Sequence, residues 1–165
     1  TRISAQQGID AAVDGLQHAP EVVDLFALLR FVEATAPGRP RLGYTQTPRD
    51  DAIRLGQYPS SSFAPTAVVG IEPRGHRPAP LVRVLSLGLL GPNGPLPLHI
   101  TEYVRDRIRN QNDPTLVAFA DIFHHRALSL FYRAWADAQP TVQMDRPGNN
   151  RLAVHLGSLT WQGLA

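Results

Sequence analysis

Residues 88–97 read Gly-Leu-Leu-Gly-Pro-Asn-Gly-Pro-Leu-Pro, and they separate a strand-rich part of the chain from a helical part. The Pro-Asn-Gly run at 92–94 supplies the fixed φ and the tolerance of positive φ that a tight turn requires. Pro95 and Pro97 then favour extended backbone at the residues before them. The stretch is therefore predicted to form a rigid elbow that fixes the angle between a sheet and a helix. The elbow residues are Gly88, Gly91, Pro92, Asn93, Gly94, Pro95 and Pro97.

Two helices are predicted after the elbow. Thr101 is placed to cap the first helix, and Glu102 lies in its first turn, where a negative charge is favourable. Asp113 followed by Pro114 is typical of the start of a second helix, since Asp caps helices and Pro suits their first position. We expect this long helix to span about residues 114–138.

The long helix carries apolar residues at helical spacing, which predicts that one wide face packs against the rest of the protein. We expect Phe123, Leu130 and Phe131 to be core residues. The complete apolar face comprises Leu116, Phe119, Ala120, Phe123, Ala127, Leu130, Phe131 and Ala134.

Before the elbow, the sequence predicts one helix and three short strands. The helix begins near Pro20 and ends at Pro37, with apolar residues at helical spacing between them. Residues 52–57, 67–71 and 81–87 are β-branched or alternate between apolar and polar side chains, which is typical of strands. The last two flank a Pro-rich loop that favours a hairpin. We expect a small antiparallel sheet with one face covered.

The predicted fold class is therefore α+β: an N-terminal helix, a small antiparallel sheet, and then two packed helices. A further short helix is expected around residues 9–16. Residues 1–138 are expected to form a core region, and residues 139–165 a linker and the start of a second half. The chain has 165 residues, of which 43% are hydrophobic and 18% charged, so it is long and apolar enough to bury a core.

Composition excludes several kinds of chemistry. All 16 basic residues are Arg, so Schiff-base formation and a P-loop lysine are excluded. The absence of Cys excludes disulfides, thiol nucleophiles and zinc ribbons. A net charge of +2 is too small to predict nucleic-acid binding, and no segment has the ~18 to 20 consecutive apolar residues of a membrane span. We expect no cofactor and no small-molecule substrate.

Histidine and aspartate leave one enzymatic alternative open. Asp121 and His125 are four residues apart on the long helix and could share a face with His99 from the preceding helix, which would suit a metal-dependent hydrolase. The competing interpretation is that Asp121 accepts a hydrogen bond from His125 near the core. His124 cannot ligate the same ion as its neighbour, because adjacent helical residues point about 100° apart.

Arg and Trp side chains on the long helix form the second candidate site. Arg126 and Arg133 are two turns apart on one face, and Trp135 lies close by. Arg and aromatic residues are typical anchors of protein interfaces. We expect these residues, with Asp121 and His125, to bind a partner or to form a structural polar network. The alternative is a solvated Arg pair, with Asp137 in an exposed salt bridge to Arg133.

Two segments resemble a known family in order and in detail. Residues 87–102 read Leu-Gly-Leu-Leu-Gly-Pro-Asn-Gly-Pro-Leu-Pro-Leu-His-Ile-Thr-Glu, and residues 119–135 read Phe-Ala-Asp-Ile-Phe-His-His-Arg-Ala-Leu-Ser-Leu-Phe-Tyr-Arg-Ala-Trp. Both closely resemble the TssG family of type VI secretion baseplate proteins, also called ImpH or VasB. Residues 26–34 and 55–65 are similar to further parts of that family. The resemblance spans about residues 20–138 and corresponds to the family's N-terminal half.

The resemblance implies a structural scaffold subunit of the type VI baseplate wedge, and not an enzyme. Family members are expected to bind TssF-like, TssK-like and TssE-like proteins. The implied location is the cytoplasm, in a baseplate docked at the inner membrane of a Gram-negative bacterium, without direct insertion into the membrane. No nucleic-acid partner is implied.

Overall fold

Helices and a small sheet make up the computed structural model, which describes residues 24–72, 79–85, 87–145 and 157–159. The α+β class is confirmed. The predicted helix at 9–16, the first residues of the helix expected from Pro20, and most of the Pro-rich loop before β3 lie outside the described residues. The elements are α1 (Leu25–Thr35), β1 (Arg54–Gln57), β2 (Val68–Glu72), β3 (Leu81–Val84), α2 (Leu98–Gln111), α3 (Thr115–Ala138) and α4 (Pro140–Met144).

The sheet has the order β1-β3-β2 and is mixed. β2 and β3 are antiparallel, as predicted, with Ile71 opposite Val82. β1 and β3 are parallel, with Leu55 opposite Val82, so the prediction of a purely antiparallel sheet is wrong. The physical reason is the path of the chain. The connection after β1 skips the position beside β1, so β2 lies at the far edge of the sheet and runs in the opposite direction. The chain then reverses again, and β3 fills the position between β1 and β2, parallel to β1.

One core cluster joins α1, the sheet and α3. Leu29 of α1, Leu55 of β1, Val82 of β3 and Tyr132 of α3 are all at most 1% exposed. Fully burying a side chain of this kind stabilises the fold by about 1.5–3 kcal/mol. A smaller cluster of Leu90, Val104 and Val117 joins the elbow to α2 and the start of α3.

The ends of the helices differ from the sequence predictions in one important place. α2 begins at Leu98, so Thr101 is a buried residue of the first turn and not the cap. Asp113 does accept the amide of Thr115, at 3.0 Å, and α3 begins at Thr115, one residue later than expected. α3 ends at Ala138, as predicted.

The orientation of α3 reverses the prediction. Phe123 and Phe131 are exposed by 54% and 51%, and Leu130 is only half-buried, so the expectation that these three residues form the core is wrong. α3 buries the opposite face because that face carries His and Asp side chains that bind backbone amides of the sheet and the elbow. The buried residues of α3 are Val117, Ala120, His124, His125, Leu128, Ser129, Tyr132 and Ala136.

No helix in the described part of the chain combines the length and the apolar character needed to cross a bilayer.

Candidate functional site

His125 connects α3 to β1 through both of its ring nitrogens. Nδ1 accepts the backbone amide of Leu55 at 3.2 Å, so the ring proton lies on Nε2 and is donated to Asp51 Oδ2 at 2.8 Å. The hydroxyl of Thr45 donates to the other Asp51 oxygen, also at 2.8 Å. His125 and Asp51 are both 2% exposed. The histidine is therefore fully committed to holding the helix on the strand.

Asp121 occupies the next contact between α3 and the sheet. Its Oδ1 accepts the amide of Gln57 at 2.9 Å and lies 3.0 Å from His124 Nδ1, and its Oδ2 accepts from Arg83 Nη1 at 2.6 Å. Asp121 thus pairs with His124 and Arg83, and the expected hydrogen bond from His125 is absent from its contacts. Gly56 permits this close approach, since a Cβ there would lie 2.6 Å from Asp121 Oδ2.

Three successive backbone amides of the elbow are held by side chains from three different elements. The amide of Leu89 donates to His124 Nε2 of α3 at 3.0 Å, that of Leu90 to Gln57 Oε1 of β1 at 2.8 Å, and that of Gly91 to Thr101 Oγ1 of α2 at 2.8 Å. Gln57 Nε2 also donates to the carbonyl of Leu90 at 2.6 Å. Since Gln57, Thr101 and His124 are at most 2% exposed, the elbow has buried contacts to both the sheet and the helices.

The turn inside the elbow is built differently from the prediction. The amide of Gly94 donates to the carbonyl of Gly91 at 3.1 Å, which places Pro92 and Asn93 at the centre of the turn. Gly91 of the elbow has a positive φ of +93°. In the described part of the chain, the non-glycine residue with positive φ is Asn112, which lies outside the elbow. Asn93 and Gly94 are therefore not needed for positive φ. Gly94 is required by space, because a Cβ there would lie 2.5 Å from the carbonyl oxygen of Leu89.

Arg126 and Arg133 both hold the loop that precedes β1. Arg126 Nη1 donates to the carbonyl of Thr45 at 3.1 Å, and Arg133 Nη1 donates to that of Gly43 at 2.9 Å. The guanidinium of Arg133 also lies 5.0 Å from the ring centre of Tyr44, a favourable cation–π distance. The two residues share a face, and that face contacts protein backbone.

Asp137 does not form the exposed salt bridge that the alternative interpretation expected. It accepts the hydroxyl of Tyr44 at 2.8 Å. Partial burial of Tyr44 raises the pKa of its phenol, and the hydrogen bond to Asp137 raises it further by a smaller amount. Tyr44 is 49% exposed and contacts both Arg133 and Asp137.

Trp135 belongs to an aromatic cluster at the junction of α1 and α3. Its ring stacks on Phe26 with 4.8 Å between ring centres, and Phe26 lies 5.4 Å from Phe131. Trp135 is half-buried. Its visible role is to pack α1 against α3.

The three residues of the metal-dependent hydrolase alternative do not converge. His99 is exposed on α2, Asp121 binds Arg83, and both nitrogens of His125 are occupied. Within residues 24–72, 79–85, 87–145 and 157–159, no group of three or more His, Cys, Asp and Glu side chains is arranged to hold a metal. The metal-dependent hydrolase alternative required His99, Asp121 and His125 to converge on one ion, and their side chains do not do so.

The solvent side of α3 carries a continuous set of large apolar side chains. Phe119 and Phe123 pack edge to face with 5.5 Å between ring centres, and exposed fractions reach 58% at Phe119 and Ile122. We call this set the exposed α3 face; it consists of Leu116, Phe119, Ile122 and Phe123.

An apolar groove continues from the exposed α3 face towards the elbow. It has a volume of about 380 Å³ and lies between Leu87 and Leu89 on one side and α3 on the other. Phe123, Ala127 and Phe131 line its α3 side. The groove and the exposed α3 face share Phe123, so together they form one apolar surface.

Several residues of this arrangement were not identified from the sequence as site residues. Gln57 is the easiest of them to predict from the sequence. It is a polar residue at an inward position of a predicted strand, where a buried side chain must find hydrogen-bond partners. Arg83 lies in a similar pattern. Asp51, Thr101 and His124 gave no such signal, because each makes a contact that joins two separate segments of the fold.

A protein-family model matches most of this chain. The family model for type VI secretion TssG matches residues 19–165. The chain belongs to the TssG family. TssG proteins are components of the type VI secretion baseplate, a structural assembly. No match was found among curated proteins or among solved structures. In the TssG chain, the motif at residues 87–102 forms the elbow and the start of α2, and the motif at 119–135 lies in α3.

Proposed function

We propose that this TssG chain is a structural scaffold subunit of the type VI baseplate wedge, and not an enzyme. It holds TssF-like, TssK-like and TssE-like partners together for assembly of the sheath and tube. The observation that carries this proposal is the exposed α3 face in a member of a baseplate family. Large exposed apolar patches mark protein interfaces, and two of the four side chains of this one are aromatic.

The exposed α3 face and its groove are assigned to the TssF-like partner. Interfaces in stable assemblies are more apolar than those of transient contacts. The resemblance to the TssG family implies that TssF-like proteins form a stable core with TssG-like ones. The most apolar surface of α3, including Phe119 and Phe123, therefore suits that partner better than the adaptor or the sheath initiator.

The elbow and the polar contacts of α3 are assigned a structural role that supports this surface. Asp121, His125, Arg126 and Arg133 bind the sheet and the loop before it, and Trp135 packs on α1. These contacts fix the rotation of α3 about its own axis. The same contacts therefore keep the apolar side of the helix directed outwards, where a partner can reach it.

The remaining parts of the proposal follow from the family. Residues 1–138 form the baseplate core region in this proposal. The subunit acts in the cytoplasm, in a baseplate docked at the inner membrane of a Gram-negative bacterium. It has no cofactor, no nucleic-acid partner and no small-molecule substrate.

Co-expression of the full-length protein with TssF-like, TssK-like and TssE-like subunits tests the proposal. We expect the TssF-like subunit to co-purify with it through size-exclusion chromatography, and the other two to join that complex. A full-length protein that stays a soluble, partner-free monomer in the presence of all three subunits would overturn the scaffold role.

A further inference from the structure

Arg41 carries a positive charge that the described part of the chain leaves without a partner. The residue is 9% exposed, and its Nε is buried and makes no hydrogen bond to residues 24–72, 79–85, 87–145 or 157–159. Among the same residues, no carboxylate forms an ion pair with its guanidinium. Arginine is almost never buried unless it is paired, because an unpaired buried charge is costly. Arg41 is therefore a candidate binding residue.

The nearest carboxylates of the chain are bound by other groups. Burial raises the pKa of Tyr132, and the charge of Arg41 opposes that increase, so the guanidinium lies near this phenol. The Tyr132 hydroxyl donates to Glu33. The hydrogen bond from Arg30 lowers the pKa of Asp145, and the charge of Arg41 adds a smaller effect. Both oxygens of Asp145 accept from Arg30, at 2.6 and 3.0 Å.

Arg41 lies well away from the exposed α3 face. Its neighbour Tyr132 is 1% exposed and lies about 13 Å further along the axis of α3 than Phe123. Two large side chains of this region are open to solvent: Tyr44, whose phenol is also affected by the charge of Arg41, is 49% exposed, and Met144, beside Asp145, is 63% exposed. Arg, Tyr and Met are all enriched at protein interfaces.

We propose that Arg41 binds an Asp or Glu side chain of a partner subunit of the baseplate. A carboxylate supplies the missing negative charge and two acceptor oxygens that match the planar N–H groups of a guanidinium. The exposed side chains of Tyr44 and Met144 suit a protein surface around that carboxylate. We call these three residues the Arg41 site. The inference rests on the proposed function, because it requires that the chain is held in an assembly.

Carbodiimide crosslinking of the assembled complex tests the proposal. Arg41→Lys keeps the charge, and since residues 1–165 contain no Lys, it introduces the first side-chain amine into this stretch. In a complex of the full-length variant with TssF-like, TssK-like and TssE-like subunits, we expect this amine to form an amide bond with one partner carboxylate. Mass spectrometry identifies that carboxylate. Arg49→Lys, at an exposed position, is the matched control and should not couple to it.

Arg41→Met separates binding from folding. Because it removes an unpaired buried charge, it should leave the melting temperature of the free subunit unchanged or raise it. The same variant should weaken binding to the crosslinked subunit about 30-fold or more, since the partner carboxylate loses its charge partner. Arg49→Met should change neither quantity. A lower melting temperature with an unchanged Kd for Arg41→Met would assign Arg41 to the fold alone.

The crosslinking experiment has two further results that would overturn the proposal. Coupling of the Arg41→Lys amine to Glu33 or Asp145 would give this position a partner within its own chain. A complex that assembles normally but shows no crosslink from Arg41→Lys would contradict the Arg41 site and leave the scaffold role standing. Failure of the wild-type protein to assemble with any of the three subunits would contradict the scaffold role itself, and the inference with it.

Discussion

Phe123 and His124 are adjacent in α3, yet their side chains lie in opposite environments. Phe123 is 54% exposed, whereas His124 is 2% exposed and accepts the amide of Leu89. Adjacent helical residues point about 100° apart, so the two mark the boundary between the outer and inner sides of the helix. The inner side is chosen by polar contacts with the sheet and the elbow, and the outer side is left apolar.

The contact between His124 and the elbow should contribute strongly to stability. His124→Ala leaves the buried amide of Leu89 without an acceptor, removes a partner of Asp121 and opens a cavity. We expect a loss of about 2–4 kcal/mol in the free energy of unfolding, measured by urea titration. His99→Ala removes an exposed histidine and should cost less than about 0.5 kcal/mol. Equal losses for the two variants would contradict the assigned role of His124.

Arg83 has two carboxylate partners, and only one of them should matter for stability. Asp121 is 12% exposed in its side chain, whereas Glu72 is 52% exposed. Asp121→Asn should cost about 2–3 kcal/mol, because it leaves a largely buried guanidinium with only the exposed Glu72 as a charge partner. Glu72→Gln should cost less than about 0.5 kcal/mol, since exposed pairs are screened by water. Chemical denaturation of both variants checks this order, and the reverse order would count against it.

Tyr132 should stabilise the fold through a buried carboxylate. Its hydroxyl donates to Glu33 Oε2 at 3.1 Å, and the amide of Leu42 donates to the other oxygen at 2.6 Å. Tyr132→Phe removes one donor from the buried Glu33 and should lower the free energy of unfolding by about 1–2 kcal/mol. Tyr103→Phe, at an exposed position, is the matched control. Thermal and urea unfolding of the two variants should separate them clearly.

The corner between α2 and α3 should weaken in acid. Hydrogen bonds from the hydroxyl and amide of Thr115, together with Arg107, lower the pKa of Asp113 from 3.8 to about 2. Because the folded-state pKa is the lower one, the carboxylate stabilises the fold above about pH 4. That contribution is lost as the pH falls from about 4 to about 2.

Melting temperatures measured between pH 5 and pH 2 test this effect. The difference in melting temperature between the wild type and Asp113→Ala should narrow as the pH falls. Protonation of Asp113 removes the stabilising contribution of its carboxylate from the wild type, and the variant already lacks that carboxylate. Gln111→Ala, at an exposed position in the last turn of α2, changes no titrating group and should keep a constant difference from the wild type. A constant difference for Asp113→Ala as well would show that its carboxylate does not act in this way.

Much of the fold was predictable because it depends on local patterns. Alternation and β-branched residues located the three strands, and the Asp-Pro pair located the start of α3 within one residue. The parallel pairing of β1 with β3 was not predictable, since it depends on the path of a connection that has no local signature. Periodicity also could not choose between the two sides of α3, because both carry apolar residues.

The candidate site shows the same division. The prolines and glycines of residues 88–97 indicated a stiff elbow. The side chains that accept hydrogen bonds from the elbow amides come from β1, α2 and α3 and are distant from it in the sequence. The spacing of four residues between Asp121 and His125 predicts that they pair with each other. Each instead found a partner elsewhere, Arg83 and Asp51, and only the three-dimensional arrangement reveals those partners.

The central claim is that the exposed α3 face binds a TssF-like subunit, and a dissociation constant measured for folded variants tests it most directly. Phe119→Glu/Phe123→Glu should weaken binding to the TssF-like subunit about 30-fold or more, as expected for aromatic residues at the centre of an interface. Phe63→Glu changes a side chain that is 78% exposed and lies outside that face, and it should leave the Kd unchanged. A folded Phe119→Glu/Phe123→Glu variant that binds as tightly as the wild type would contradict the claim.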